Sequence, residues 1–575
     1  MTRLCNPSKK GPGSKKERGI KDILATPTHP SLLTRFGQPG RWLDILIVLA
    51  LFFLALSFNL YRLGLPSIWF DEALSITRAR QALPLLSRIV LTTQPNMALY
   101  YFVLHFWLAF MEFLHVHATE AVVRLPSAFF SALGMLVLYF LARRFFNVFI
   151  AVFAALLYLL NTLQLTYAQE TRAYTLQMLF LGFSWYALFM LFSSDLSRQR
   201  ARGWWVCFVL SSALASYAHL FSELVLTTQA LALVLLLVIP NAWQARLRQQ
   251  IRPLLSSWVC IAILNAPLLY AASRIGSKTG WLPIPTLKDI YNLFLTICAH
   301  NKFLLSLFML TILPGLLITL LAFVPPGMEL LKRLSVLPEN AAARYRWQKR
   351  LVQLLPLVLC LLCWVVFPVA LSYIVSQKST RLFSARYLVV IVPALILLVA
   401  FGITLLRWWA VQLITSLCIV GLCLSCASNY YLHAQVEDWR TGTQWLQQNY
   451  QDGDGLVCYD NSQGCAVDIE YYLQAYPSGK AHFDTDSPGY FSWVNYDITN
   501  HLGNYLAALD TNAIQGYGLH HARLFFGLGR ASIRDPQVQT TLRWLKAHYH
   551  LLARKSAGSL TFYLFNTTTQ APHPG

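Results

Sequence analysis

Eleven apolar runs, each long enough to cross a bilayer, constrain this chain more than any other feature. They lie near 43–62, 122–142, 148–166, 174–193, 204–220, 222–239, 254–272, 303–324, 353–375, 387–406 and 410–428. About 20 apolar residues carry a helix through the hydrocarbon core. A backbone in lipid must satisfy its own hydrogen bonds, which leaves helices as the solution for such runs. The expected fold is therefore a polytopic α-helical membrane protein with about 11 transmembrane helices. Charged residues make up only 12% of the chain, against about 25% in a soluble domain.

One more run, 97–114, is ambiguous, and charge decides it. If it does not cross, four basic clusters fall on the side of the N-terminal tail. They are Arg143 and Arg144; Arg198, Arg200 and Arg202; Arg246, Arg248 and Arg252; and the group from Lys332 to Arg350. If it crosses, all four move outside, against the positive-inside rule. Residues 97–114 are thus expected to form an interfacial helix within a long first outer loop, 63–121. This places the N-terminus in the cytoplasm and the tail outside.

Three segments follow. Residues 1–41 read as a disordered basic cytoplasmic tail, residues 42–429 as the transmembrane module, and residues 430–575 as an extracytoplasmic soluble domain of small α/β type. In that domain Gln444–Tyr450 is helix-like. Strands are expected at Leu456–Tyr459, Leu524–Gly527 and Ser559–Phe565. The formal charge of +21 belongs to membrane topology, and no basic groove interleaved with aromatics suggests nucleic acid. Cysteines inside apolar runs, Cys360 and Cys363 among them, read as packing residues. Cys458 and Cys465 could pair if the tail is outside.

Chemistry is best sought where acids meet the membrane face. Asp71 and Glu72, in Trp69-Phe70-Asp71-Glu72-Ala73, follow directly on the first run. Carboxylates there must be solvated, paired or used. The bland alternative is that they favour the start of the next helix. Asp71, Ser75 and Arg78 would share one face of that helix. Other outer-face groups are Gln94-Pro95-Asn96 leading to Tyr100 and Tyr101, the turn Tyr167–Tyr174, and Lys378, Arg381, Arg386 and Tyr387. Glu170 and Arg172 could equally be an ion pair closing their turn. His219, at a run's end, could be an interfacial hydrogen-bonding residue.

In order and in side, these elements resemble the GT-C glycosyltransferases, nearest the bacterial family-39 type with the protein O-mannosyltransferases and the aminoarabinose transferases of lipid A. The resemblance covers about 40–460. It rests on the acidic pair, on the Pro95–Tyr101 entry followed by Val123-Arg124-Leu125-Pro126-Ser127, on Glu170-Thr171-Arg172-Ala173-Tyr174, and on Arg386-Tyr387-Leu388 with Glu437-Asp438-Trp439-Arg440. It implies transfer of a hexose or pentose from a polyprenyl-phosphate donor to a lipid, glycan or protein acceptor. The reaction would be inverting and would occur on the extracytoplasmic face of the bacterial inner membrane. Asp71, with Glu72 beside it, would be catalytic, Asp71 as general base. Arg172, Lys378, Arg381 and Arg386 would meet the phosphate. Arg78, Tyr100, Glu170, Tyr174 and His219 are further substrate-site candidates. No cofactor is required by the sequence. A divalent ion is an option, since Glu112, His115, His117 and Glu120 are close in sequence, although their spacing matches no ligand set and reads better as a solvated rim. The chain departs from many relatives in having Gln94 where they carry Lys or His before the proline. A lipid-glycan transporter or flippase, and an O-antigen ligase or polymerase, are the rival classes. The first would show broken helices in repeated halves and charges buried mid-span, and the second a large central outer loop.

Overall fold

The computed structural model describes residues 41–275, 279–280, 282–322, 330–331, 341–378, 380–433, 437–459, 466–475, 481–483, 487–488, 507–529 and 535–568. Every apolar run is a helix. The chain begins with α1 (Arg41–Leu60) and continues through three shorter helices, α2 (Phe70–Ala79), α3 (Leu83–Thr92) and α4 (Ala98–Phe113). The bundle resumes with α5 (Glu120–Phe145), α6 (Val148–Leu160), α7 (Thr162–Ala168), α8 (Tyr174–Ser193), α9 (Arg198–Ala218) and α10 (Ser222–Val238). Then come α11 (Gln244–Gln249), α12 (Ile251–Ile275), α13 (Leu287–Ile297), α14 (Lys302–Ala322) and α15 (Ala341–Val375). The bundle closes with α16 (Ala385–Leu388), α17 (Val392–Thr404) and α18 (Trp409–His433). The expected tail, residues 1–41, lies outside the described residues except for Arg41.

Among the described residues, eight helices are each long and apolar enough to cross a membrane, and the α6–α7 pair, bent by 64°, would make a ninth. The chain is an integral membrane protein. Two of the expected spans fall short by that measure for visible reasons. Helix α9 opens with Arg198, Arg200 and Arg202, and α10 has only 17 residues. The bend between α6 and α7 has a cause in the sequence. Asn161 has extended backbone, its side-chain oxygen accepts from the Gln164 amide at 3.1 Å, and its amide donates to the Ile297 carbonyl at 2.8 Å. Asn thus ends one helix and caps the next, tilting α7 across the bundle end.

Helix α4, the ambiguous run, stays at one end of the bundle. Asn96, just before it, accepts from the Leu220 amide at 3.1 Å, and Trp107, within it, donates to the Val122 carbonyl at 2.8 Å. Both partners lie where Asp71 lies. At the opposite end Arg144 donates to the Ser193 carbonyl at 2.9 Å and Arg246 to the Phe192 carbonyl at 3.1 Å. Arg144 and Arg246 thus gather at the Phe192–Ser193 end of α8. Inside the bundle, α14 and α17 cross at two glycines: a Cβ on Gly402 would lie 2.1 Å from the Thr311 carbonyl oxygen, and one on Gly315 would lie 3.1 Å from the Gly402 Cα. Small residues let membrane helices approach this closely.

After the bundle come α19 (Trp439–Asn449), β1 (Gly455–Tyr459), α20 (Ala466–Ala475), α21 (Thr511–Gly518), β2 (Arg523–Leu528), α22 (Pro536–His548), β3 (His550–Ala557) and β4 (Leu560–Asn566). The sheet order is β1-β2-β4-β3, with β1 and β2 parallel and the other pairs antiparallel. The three buried strands are the three expected from their apolar runs. Strand β3, at the edge and mostly exposed, has no such run and escaped the sequence reading. Cys458 is disulfide-bonded; Cys465 lies outside the described residues. Cys360 and Cys363 are free thiols buried in α15.

The C-terminal region and the loop helices share one apolar core: Trp439, Phe525 and Phe562 cluster with Ile68, Tyr101 and Val123. Polar contacts reinforce it. Tyr472 hydroxyl accepts from the Ile68 amide at 2.7 Å and meets the Ser67 hydroxyl at 2.8 Å. Arg440 donates to Glu120 at 2.7 Å and to the Gly64 carbonyl at 2.7 Å. The stretch that carries Asp71 is thus held from both sides.

Candidate active site

Asp71 and Glu72 sit in the first turn of α2, and neither caps it with its side chain. Successive residues on a helix point about 100° apart, so the pair divides. Asp71 faces a cavity of about 190 Å³ lined also by Trp69, Tyr167, Glu170, Arg172, Tyr174 and Arg386. Glu72 turns into the protein and is fully buried. Arg124 Nε and Nη2 grip its two oxygens at 2.8 and 2.6 Å, and the Thr171 amide donates to it at 2.7 Å. Of the two acids expected to be catalytic, Glu72 has its carboxylate occupied by these donors and does not line the cavity.

Arg124 is the residue the sequence reading passed over. Its remaining donors reach the carbonyls of Leu63 at 2.9 Å, Pro66 at 2.8 Å and Ser67 at 3.1 Å. All five guanidinium hydrogens are thereby used. Arg124 ties the 63–67 stretch to the start of α2, and Glu72 carries the link on to the 169–173 turn. Its place in a Val-Arg-Leu-Pro-Ser string on the outer face was the available signal.

Two cations converge on Asp71. Arg386 Nη1 lies 3.0 Å from Asp71 Oδ2, and Arg172 Nη2 lies 3.6 Å from the same oxygen. Arg172 is held in place by the Asp71 carbonyl and the Ser75 hydroxyl, both at 3.1 Å from Nη1. Arg386 lies over the Trp69 ring, 5.8 Å from its centroid. The other two expected phosphate ligands do not reach. Arg381 donates to the carbonyls of Ser376, at 2.6 Å, and Lys378, and neither residue lines the cavity. Arg172 pairs with Asp71 rather than with Glu170, which removes the turn-closing ion pair considered above.

Glu170 faces the cavity with a buried Oε2 that has no hydrogen-bond partner among the described residues. Burial, with the Glu72 charge behind it, pushes its carboxyl from its ordinary 4.5 up to about 8. At neutral pH it is mostly protonated and can donate a hydrogen bond. A raised carboxyl pKa costs stability as pH climbs from the unfolded value to the folded one. Glu170→Gln is expected to remove a loss of thermal stability that the wild type suffers between about pH 4.5 and pH 8, on the order of a few kcal/mol. Parallel unfolding curves for both proteins across that range would sink the assignment.

His219 lies behind this wall, its ring 5.4 Å from those of Tyr174 and Tyr387. Its Nδ1 accepts from the Phe221 amide at 3.2 Å. Burial first, then Arg172 and Arg386, hold it down at about 3, so it is a neutral packing and hydrogen-bonding group. Tyr174 lines the cavity, and its ring meets that of Tyr167 at a 51° tilt, 4.4 Å between centroids. Two remaining candidates are engaged elsewhere. Tyr100 pairs with the Ser127 hydroxyl at 2.9 Å, and Arg78 donates to the Tyr101 hydroxyl at 2.6 Å. Neither lines the cavity.

At the rim Glu120 is held by Arg440 at 2.6 Å, and no group of three ligating side chains gathers among the described residues.

No protein-family model matches the sequence, and no curated protein matches it. Among solved structures, the fold is similar to that of ArnT from Cupriavidus metallidurans in the apo state. That match has 15% identity and a TM-score of 0.53, over 93% of this chain and 100% of that chain. The same protein bound to undecaprenyl phosphate matches at 15% identity and a TM-score of 0.52, over 92% and 98%.

Proposed function

From the GT-C fold of this chain, we propose that it transfers a sugar from a polyprenyl-phosphate donor to an acceptor hydroxyl, with inversion and with Asp71 as general base. The observation that carries the reading is one carboxylate facing a cavity between two guanidiniums. A phosphate leaving group develops charge that cations must meet, and Arg386 and Arg172 supply it. In the structure both pair with Asp71. A donor phosphate competes for them, and the carboxylate it releases is then available to the acceptor. The acceptor proton passes to Asp71 as the acceptor oxygen attacks the anomeric carbon, and the bond from that carbon to the phosphate oxygen breaks. Glu170, protonated, donates to an oxygen of the bound donor. That a related fold was solved with undecaprenyl phosphate supports a lipid-borne donor. The basic clusters at the far end support a site on the outer face, with the C-terminal region beside it and the N-terminus inside.

The test is transfer from a panel of polyprenyl-phosphate sugars in membranes, comparing wild type with Arg386→Ala. A hydrogen bond to a charged group is worth about 1.5–3 kcal/mol, so the donor KM is expected to rise about 10–100-fold. An unchanged donor KM, with the variant present at wild-type level, would remove Arg386 from the phosphate.

A further inference from the structure

A second cavity, of about 750 Å³, lies on the far side of α7 from Asp71. Helix α7 is the shared wall: Tyr167 faces the first cavity, and Thr162 and Thr166 face the second. The opposite walls are the turn between α13 and α14, with His300 and Lys302, and the end of α18, with Asn429 and Tyr430. None of these residues has a part in the reaction proposed above.

The chemistry of the lining is one-sided. It offers hydroxyls, two amides, an imidazole and an ammonium group, with His300, Lys302 and Asn429 exposed at its mouth, and no carboxylate lines it among the described residues. An unopposed cation in a hollow of hydrogen-bond donors suits an anion. The rim has a different character. Phe303 is 63% exposed and heads an exposed apolar strip on α14 that continues through Leu310, Leu313 and Leu317. A polar, cationic hollow therefore opens onto the apolar flank of a membrane-crossing helix, at that helix's end. His300 is held in the wall by a left-handed backbone, φ 58°, directly after Ala299 at φ 56°. Two successive non-glycine residues seldom adopt that conformation.

We propose that this cavity is a second lipid site, taking the phosphate-bearing headgroup of a membrane lipid whose chain runs along α14. The phosphate sits on Lys302 and His300, and the remaining headgroup oxygens sit on Thr162, Thr166 and Asn429. The inference stands apart from the reaction at Asp71 and does not need it. The two cavities are nonetheless connected through α7 and through Tyr430, whose hydroxyl donates to Gln169 at 3.3 Å, next to Glu170.

The full chain in phosphatidylcholine nanodiscs, with phosphatidic acid carrying a photoreactive group near its glycerol, tests this. Adducts mapped by mass spectrometry are expected on 296–303 and 425–430. They should fall about tenfold when Lys302→Ala and His300→Ala are combined, as for loss of a charge-assisted contact. Labelling should persist in Arg386→Ala, which separates this cavity from the first. Competition by inorganic phosphate would assign the seat to the phosphate group alone, and resistance to it would assign the seat to the lipid-borne headgroup. Equal labelling by the matching diacylglycerol, an unchanged yield in the double variant, or no adduct on either segment would overturn the proposal.

Discussion

Asp71→Asn is expected to lower the rate of sugar transfer about 10²–10⁴-fold, the usual worth of a positioned general base, while leaving the protein in the membrane. The substitution keeps the size of the side chain and an oxygen for Arg386 to meet, and removes the capacity to take a proton. Asp71 and its arginines keep some exposure, unlike the fully buried Glu72–Arg124 pair, so neutralising Asp71 costs the fold less than breaking that pair. Activity and stability should therefore separate. A variant that is abundant, unfolds at the wild-type temperature and is inactive fits the assignment. Transfer at the wild-type rate would remove Asp71 as the base. A large fall in stability would make the lost activity uninformative, and Asp71→Ser would then be the second variant to assay.

Arg124→Ala is expected to do the reverse and act first on the fold. It leaves the buried Glu72 carboxylate with the Thr171 amide alone and frees three carbonyls of the 63–67 turn. Breaking a buried ion pair from one side costs about 3–5 kcal/mol, because a charge is stranded. Removing both charges is milder, so Glu72→Gln with Arg124→Met should be more stable than Arg124→Ala alone. Thermal unfolding in detergent reads both. An Arg124→Ala protein with the wild-type midpoint would show that the 63–72 turn is held by the Tyr472 and Arg440 contacts instead.

The two adjacent acids show how far the sequence could be read. Their position after the first apolar run marked the candidate site, because charge at a membrane face needs a reason. Which of them faces the cavity was not legible, since a helix turns neighbours to different faces and the partner of Glu72 lies 52 residues away. The four cations posed the same problem. Reach is set by loop geometry, and Arg381 spends its guanidinium on the carbonyls of its own loop.

What the sequence determined by itself is what depends on local composition. Apolar runs place the helices because lipid leaves the backbone no other partner. Apolar runs of four to seven residues mark the three buried strands. What only the tertiary structure decided is what depends on distant residues meeting: Asp71 between Arg172 and Arg386, Glu72 locked to Arg124, and Tyr472 holding Ile68 from 404 residues away. Hydropathy acts on each segment alone, whereas a polar contact needs two segments brought within about 3 Å, and that is set by how the helices pack.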